Sequence, residues 1–286
     1  MKRGKEIMAI VLAVAALIAG ILIWFIVPYS PAKAEFAKLT SDQMTKTTNP
    51  GGVFANEDIA EMPPPVQKYF QYCGYIGKFK MSNMNIHFND VDFVLSPNKP
   101  KLKIKYTQYN FVEEPERFAY IDTSLYGIPF EGIDAYQNGA GSMKGIIAKT
   151  FTSFDQKGEA MDQASLVTCL AESLFLPTLA LQDYISWEEL DETHAQAVIN
   201  YYGTSASGVF TFDDNGAMIS FTTNDREYTD TKGNSQKVKW SAVCGDYEEV
   251  DGIKYPSNLK AVWHFETGDL VYFDGRDITV KYDVSK

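Results

Sequence analysis

Histidine and cysteine are scarce in this chain, three of each among 286 residues, and the scarcity excludes several chemistries at once. His87, His194 and His264 are dispersed, each in or beside a predicted strand, and none has a second His or Cys at metal-ligand spacing, so no metal site is expected. Cys73, Cys169 and Cys244 form no C-x-x-C pair, and their odd number leaves at least one thiol free in any pairing scheme. Cys73 and Cys169 fall on apolar faces of predicted helices, which favours buried thiols over a disulfide. Positive charge is also short: 26 Lys and Arg stand against 37 Asp and Glu, for a net charge of −11. Lys2, Arg3, Lys5 and Glu6 together carry +2, so the rest of the chain carries −13. Affinity for nucleic acid comes chiefly from clustered cations, and a body this acidic excludes such a partner.

Catalytic motifs are missing as well. Gly203–Gly208 (GTSASG) misses the spacing of a nucleophile elbow and reads as a polar hairpin loop. Gly139, Gly141 and Gly145 are spaced G-x-G-x-x-x-G between two predicted strands, whereas a dinucleotide loop opens a helix. Asp213, Asp214, Asn215 and Gly216 hold a fragment of calcium-loop chemistry without its distal Glu, and a hairpin turn accounts for them. No catalytic residue, metal or cofactor is expected, and the sequence reads as that of a non-enzyme.

What the chain does have is one long apolar run and many aromatic residues. From Ile7 to Val27 no residue is charged, and only Gly20 interrupts the aliphatic and aromatic side chains. At about 1.5 Å per residue the run reaches roughly 30 Å, the thickness of a bilayer's hydrocarbon core. Lys2, Arg3 and Lys5 precede it, and Trp24, Phe25 and Tyr29 gather at its far end, which puts the N-terminus in the cytoplasm and the rest outside. The expected division is a basic N-terminus over 1–6, a single membrane span over 7–28, a linker over 29–55 and an extracytoplasmic domain over 56–286. Ala32-Lys33-Ala34 offers a small-residue cleavage pattern, so a cleaved and secreted form is the alternative.

Beyond the linker, Val66, Tyr69, Phe70 and Cys73 recur at helical spacing behind Pro63-Pro64-Pro65, with Gly74 as a stop. The period then changes to two: Leu102, Ile104 and Tyr106 alternate with Lys101, Lys103 and Lys105. Strand patterns follow over 118–126, 129–137 and 143–151, a second helix over Glu159–Phe175, and further strands over 195–201, 208–213, 217–224, 237–244, 257–265 and 270–282. Tyr and Phe number 17 and 18, which suits half-buried pleated surfaces. The expected class is α+β: an N-terminal transmembrane helix, then a strongly curved antiparallel sheet of about ten strands, an incomplete β-barrel wrapped over one or two helices.

Several segments together resemble an uncharacterised bacterial family catalogued as a domain of unknown function: Met62–Phe70 (MPPPVQKYF), Gln108-Tyr109, Ala171–Thr178 and Asp246–Pro256 (DYEEVDGIKYP). The likeness covers roughly Asn56–Val284. That family in turn looks like the LolA/LolB lipoprotein-carrier superfamily, and FTFDDNGAMISF and DYEEVDGIKYP are similar to its paired-strand segments. The resemblance implies a half-barrel that binds acyl chains in its concavity. It also implies a lipid or other apolar small molecule as partner, with a protein partner as the alternative. The apolar N-terminal run departs from soluble LolA, and no cysteine stands where LolB is lipidated. Phe210 and Phe212 share one strand face, and Trp263 and Phe265 share another; with Tyr109 and Phe175 from the resembling segments they are the expected ligand-lining residues. Simple core packing is the competing reading for each of them.

Overall fold

A computed structural model describes residues 2–97, 100–229 and 234–285. Helix α1 (Lys2–Ile26) contains the apolar run and leaves the protein almost bare: its most apolar 18-residue window has no buried residue. It is a helix long and apolar enough to cross a membrane. A break follows, and α2 begins at once (Pro31–Lys46), capped by Ser30, whose Oγ accepts from the Lys33 N–H at 3.0 Å. Residues 31–46 were expected to be tether, and here the structure corrects the sequence. Ala32, Phe36, Thr40 and Gln43 lie along one buried stripe of α2. The fully buried stripe carries one large apolar side chain, Phe36, with Leu39 and Met44 half-buried beside it, too little to register as an amphipathic pattern.

Helix α3 (Pro64–Tyr72) comes next, ended by Gly74 at φ +75°, with the Tyr75 N–H returning to the Phe70 carbonyl and the Gly74 N–H to that of Gln71. Six strands then form a meander: β1 (Asn83–Phe93), β2 (Leu102–Phe111), β3 (Arg117–Leu125), β4 (Ile128–Gln137), β5 (Ala140–Ile147) and β6 (Phe151–Lys157). Helices α4 (Glu159–Glu172) and α5 (Pro177–Ala180) interrupt it. The chain returns as β7 (Ile185–Asp191), β8 (His194–Tyr201), β9 (Thr204–Phe212), β10 (Met218–Thr223), β11 (Glu227–Thr229), β12 (Ser235–Lys237), β13 (Lys239–Val250), β14 (Ile253–Phe265) and β15 (Gly268–Tyr282). The class is α+β, as the alternation patterns imply.

Thirteen strands make one antiparallel sheet in the order β6-β5-β4-β3-β2-β1-β15-β14-β13-β10-β9-β8-β7, while β11 and β12 pair only with each other. The last strand joins the first, Met84 opposite Tyr282 and Phe93 opposite Phe273, so the two halves of the chain become one surface. The sheet is not closed, because β6 and β7 remain edges. The predicted strand over 143–151 is split in two. Ala148 and Lys149 both adopt left-handed backbone, at φ +55° and +61°, and form a tight turn without the Gly, Asn or Asp that would have signalled it.

Helix α4 explains how an open sheet keeps a buried interior. It lies between the two arms, packed on β4–β6 at one side and on β8 and β9 at the other. Asp162 Oδ1 accepts from the Gly141 N–H at 2.6 Å, and Gln163 donates to the Ser205 carbonyl at 2.8 Å. The approach is close enough that a Cβ on Gly141 would sit 2.3 Å from the Met161 carbonyl oxygen. Both sides of α4 are therefore covered, and Ala164, Leu166, Val167, Cys169, Leu170 and Ala171 are buried, which is why its apolar face is broad. The main core fills the concave side. Phe54, Phe70 and Tyr75 interlock beneath α3, and Tyr69 meets Phe212 at 5.8 Å. A second, smaller core lies on the outer face, where Phe36 packs against Tyr120 and Tyr109 at 5.5 and 5.9 Å, over Phe118 and Ile133.

Cys73, Cys169 and Cys244 are all free and buried. Burial pushes the Cys73 thiol up to about 12 and raises the other two as well, so little thiolate exists near neutrality. The native protein at pH 8 is expected to resist iodoacetamide, and the unfolded protein to take up three equivalents; labelling of the native fold would contradict this burial.

Candidate functional site

Two polar features interrupt the apolar interior. The first centres on Arg117, at the start of β3, whose side chain is only 5% exposed. Its Nη1 donates to Asp134 at 2.7 Å, its Nε to Glu172 at 3.2 Å, and its Nη2 to Gln108 at 2.8 Å and to the Tyr106 hydroxyl. Gln108 and Asn110 donate to the same Glu172 oxygen. Burial opposes the guanidinium charge, but Tyr106, Asp134 and Glu172 around it hold Arg117 well above its ordinary range. Strands β2, β3 and β4 bring these residues to one inner face, and α4 delivers Glu172 at its last turn. Every guanidinium nitrogen has a partner, so the cluster reads as a structural pin between helix and sheet.

The second feature is a rim of aromatic rings around Arg226, between β10 and β11. The guanidinium carbon lies 4.6 Å from the Trp240 ring centre and 5.6 Å from that of Trp263, and Nη1 donates to Thr168 of α4 at 3.0 Å. Its Nε is buried and has no hydrogen-bond partner among the described residues. Tyr228 meets Trp263 and Phe265 edge-on at 5.6 and 5.1 Å. The Tyr272 hydroxyl accepts from the Trp240 indole N–H at 3.1 Å. Tyr228, Phe265 and Tyr272 are half-buried, so the rim faces both core and solvent.

The six sequence-expected lining residues are not brought together. Trp263 and Phe265 stand in this rim. Phe210 and Phe212 belong to the packed core, at 0% and 2% exposure, with Phe210 set 4.8 Å from Phe221 and 5.1 Å from Trp187. Phe175 is buried in the 3₁₀ turn after α4. Tyr109 points to the other side of the sheet, because its neighbours Gln108 and Asn110 turn inward and a strand alternates its faces. Sequence reading missed Arg226, Tyr228 and Tyr272 as site residues. Arg226 and Tyr228 lie between the predicted strands 217–224 and 237–244, where no periodicity marked them.

No group of three or more His, Cys, Asp or Glu placed to hold a metal occurs among the described residues. The histidines are taken up locally: His87 by Thr107 and Asn89, His194 by Asp191, His264 by Asp269 and Ser241.

A third arrangement lies on the outer side, where α1 meets the sheet. Lys149 Nζ donates to the carbonyls of Val27 at 2.6 Å, Trp24 at 3.1 Å and Tyr29 at 3.4 Å, and the Trp24 indole donates to the Ala148 carbonyl at 3.2 Å. A cation thus satisfies the orphan carbonyls at the end of the helix. Two clefts of about 530 and 360 Å³ flank this joint. The larger is lined by Phe25 and Val27 together with Lys103, Lys105, Asp122 and Glu131, a mixed-charge surface open to solvent.

A family model described as a family of unknown function (DUF6544) matches residues 52–275. No curated protein matches. Among solved structures, a LolA-superfamily protein from Nitrosomonas europaea is similar at 9% identity and a TM-score of 0.41, over 77% of this chain and 94% of that one. A putative outer-membrane lipoprotein-sorting protein domain from Vibrio parahaemolyticus is similar at 9% identity and 0.38, over 72% and 86%. A DUF1329 protein from Desulfovibrio piger is similar at 12% identity and 0.31, over 90% and 95%. Likenesses this loose carry no weight for function.

Proposed function

Because this chain belongs to a family of unknown function, DUF6544, its role has to be read from its own geometry, and we propose that it is a non-catalytic binding protein, anchored in a membrane by α1 and facing outward. Its ligand is an amphipathic molecule with an anionic or oxygen-rich head and an apolar body. One observation carries the reading: the buried Arg226 Nε has no acceptor among the described residues, in a rim of half-buried aromatic rings. A buried guanidinium N–H without an acceptor is costly, and a ligand oxygen relieves that cost once the half-buried rings around it give way. The ligand's apolar body lies against Tyr228, Phe265 and Tyr272, where each methylene withdrawn from water contributes about 0.8 kcal/mol. The anchor keeps the rim near the bilayer.

A second reading is an envelope scaffold that takes a protein partner and no small ligand. The filled core at Phe210, Phe212 and Phe221 favours it, since the depth of the concavity is occupied by the protein's own side chains.

Trp240 and Trp263 provide the test. In a Trp24→Phe, Trp187→Phe form of the full chain, which keeps Trp240 and Trp263 alone, a bromine-labelled fatty acid is expected to quench tryptophan fluorescence saturably, and the unlabelled acid to reverse it. Arg226→Met should weaken the affinity roughly tenfold or more, the worth of one charge-assisted hydrogen bond. An absence of saturable quenching, with no amphiphile extracted from the purified protein, leaves the scaffold reading in place.

A further inference from the structure

The joint between α1 and the sheet fixes which parts of the domain stand beside the end of the apolar helix. Lys149 and Ala148 contact Trp24 and Val27, so the β5–β6 turn lies level with the last turn of α1. Ser124 and Pro129, either side of the β3–β4 turn, line the same cleft as Ile26 and Val27. These two turns carry five large apolar side chains in the open. Tyr126 is 94% exposed, Phe151 70%, and Leu125, Ile128 and Ile147 between 41% and 44%.

Three further observations separate these turns from ordinary surface loops. Neither contains an acidic residue: 123–130 reads TSLYGIPF and 145–152 reads GIIAKTFT, with Lys149 as the only charge, in a chain whose body carries a large negative excess. Other turns are polar, as at Asp191-Glu192 or Asn138-Gly139. Tyr126 sits at φ +52°, a conformation that Asn and Asp adopt far more readily than an aromatic residue. The comparable turn at Asp251-Gly252 has the usual choice. Tyr202 also breaks the pattern, but its ring packs on Tyr201 at 4.6 Å, whereas Tyr126 has no ring contact among the described residues. A strained, exposed aromatic group next to an apolar helix end is explained by an interfacial role.

We infer that the β3–β4 and β5–β6 turns dip into the headgroup layer of the bilayer that α1 spans, so that the domain is held at three points and faces the membrane in one orientation. The inference rests on the reading of α1 as a membrane anchor. Aromatic and aliphatic side chains at this depth gain from leaving water, and the absence of carboxylates from the turn tips, with Asp122 and Glu131 set back in the strands, lessens the repulsion that an anionic leaflet would exert.

The test uses the full chain in phosphatidylcholine/phosphatidylglycerol vesicles, with bimane placed at Tyr126→Cys, Phe151→Cys or, as a control in the exposed acidic turn between β7 and β8, Glu192→Cys. The native thiols are buried and do not compete for the label. Acyl-chain nitroxide lipids are expected to quench positions 126 and 151 and to spare 192. Aqueous iodide should quench 126 and 151 several-fold less than 192. If 126 and 151 are as open to iodide as 192 while the protein resists carbonate extraction, the docking is wrong and the anchor stands. Release of the protein by carbonate would remove the anchor reading, and the docking with it.

Discussion

Phe210→Ala is expected to lower the free energy of unfolding by about 3–5 kcal/mol, the usual cost of removing a buried phenylalanine. The ring has no exposed surface and is held between Phe221, Trp187 and Phe212, at 4.8, 5.1 and 6.5 Å. The neighbouring backbone cannot collapse freely into the vacancy, because Gly208 already lies against the Phe221 ring, where a Cβ would come within 2.1 Å. Urea unfolding of the full chain, followed by circular dichroism, measures the loss. A residue lining an empty ligand cavity would behave otherwise: truncation would remove few contacts and cost far less. A loss below about 1 kcal/mol would therefore move Phe210 from core to site. Phe265, half-buried at the rim, is the counterpart: on the proposed binding function, Phe265→Ala is expected to cost less stability and to weaken ligand uptake more.

Arg117→Met should be comparably severe, at about 3–5 kcal/mol, for a different reason. The substitution roughly conserves volume but leaves the carboxylates of Asp134 and Glu172 without their cation, and the Gln108 Oε1 and the Tyr106 hydroxyl without the donor they accept from. Arg117→Lys is expected to recover little, since an ammonium cannot satisfy four acceptors arranged around a planar fork. Glu172→Gln added to Arg117→Met should recover part of the loss by removing one stranded charge. Non-additivity of the two substitutions in urea unfolding is the decisive reading. If Arg117→Met costs under about 1 kcal/mol, the network is hydrated and does not pin α4 to the sheet.

Much of the architecture was legible because it depends on period. The alternation of Leu102, Ile104 and Tyr106 with lysines shows a strand with one wet face, and β2 has that pattern. The proline-led helix stops at Gly74, where a left-handed residue is required. Other parts left no periodic trace. Helix α2 was hidden because Phe36, with Leu39 and Met44 half-buried beside it, can anchor a largely polar helix once Tyr109 and Tyr120 are placed beneath it. The Ala148-Lys149 turn was hidden because its left-handed backbone is supported from outside, by the carbonyls of α1 that Lys149 reaches. The rim was half legible: Trp263 and Phe265 lie on a strand whose facing could be read, whereas Arg226 acquires meaning only when β13 and β14 bring two indoles to its guanidinium.

By itself, then, the sequence determined the apolar helix, the α+β class and the run of antiparallel strands, since hydropathy and alternation are properties of neighbouring residues. The tertiary structure alone decided that β15 pairs with β1, that α4 seals the open side, and which aromatic rings are core and which are rim. It also decided how the domain meets the end of α1. Those outcomes depend on contacts between residues far apart in the chain, from 42 positions for Gln163 with Ser205 to 124 for Trp24 with Ala148. The free energy of such contacts comes from burial and from satisfying polar groups in three dimensions, and no local pattern encodes it.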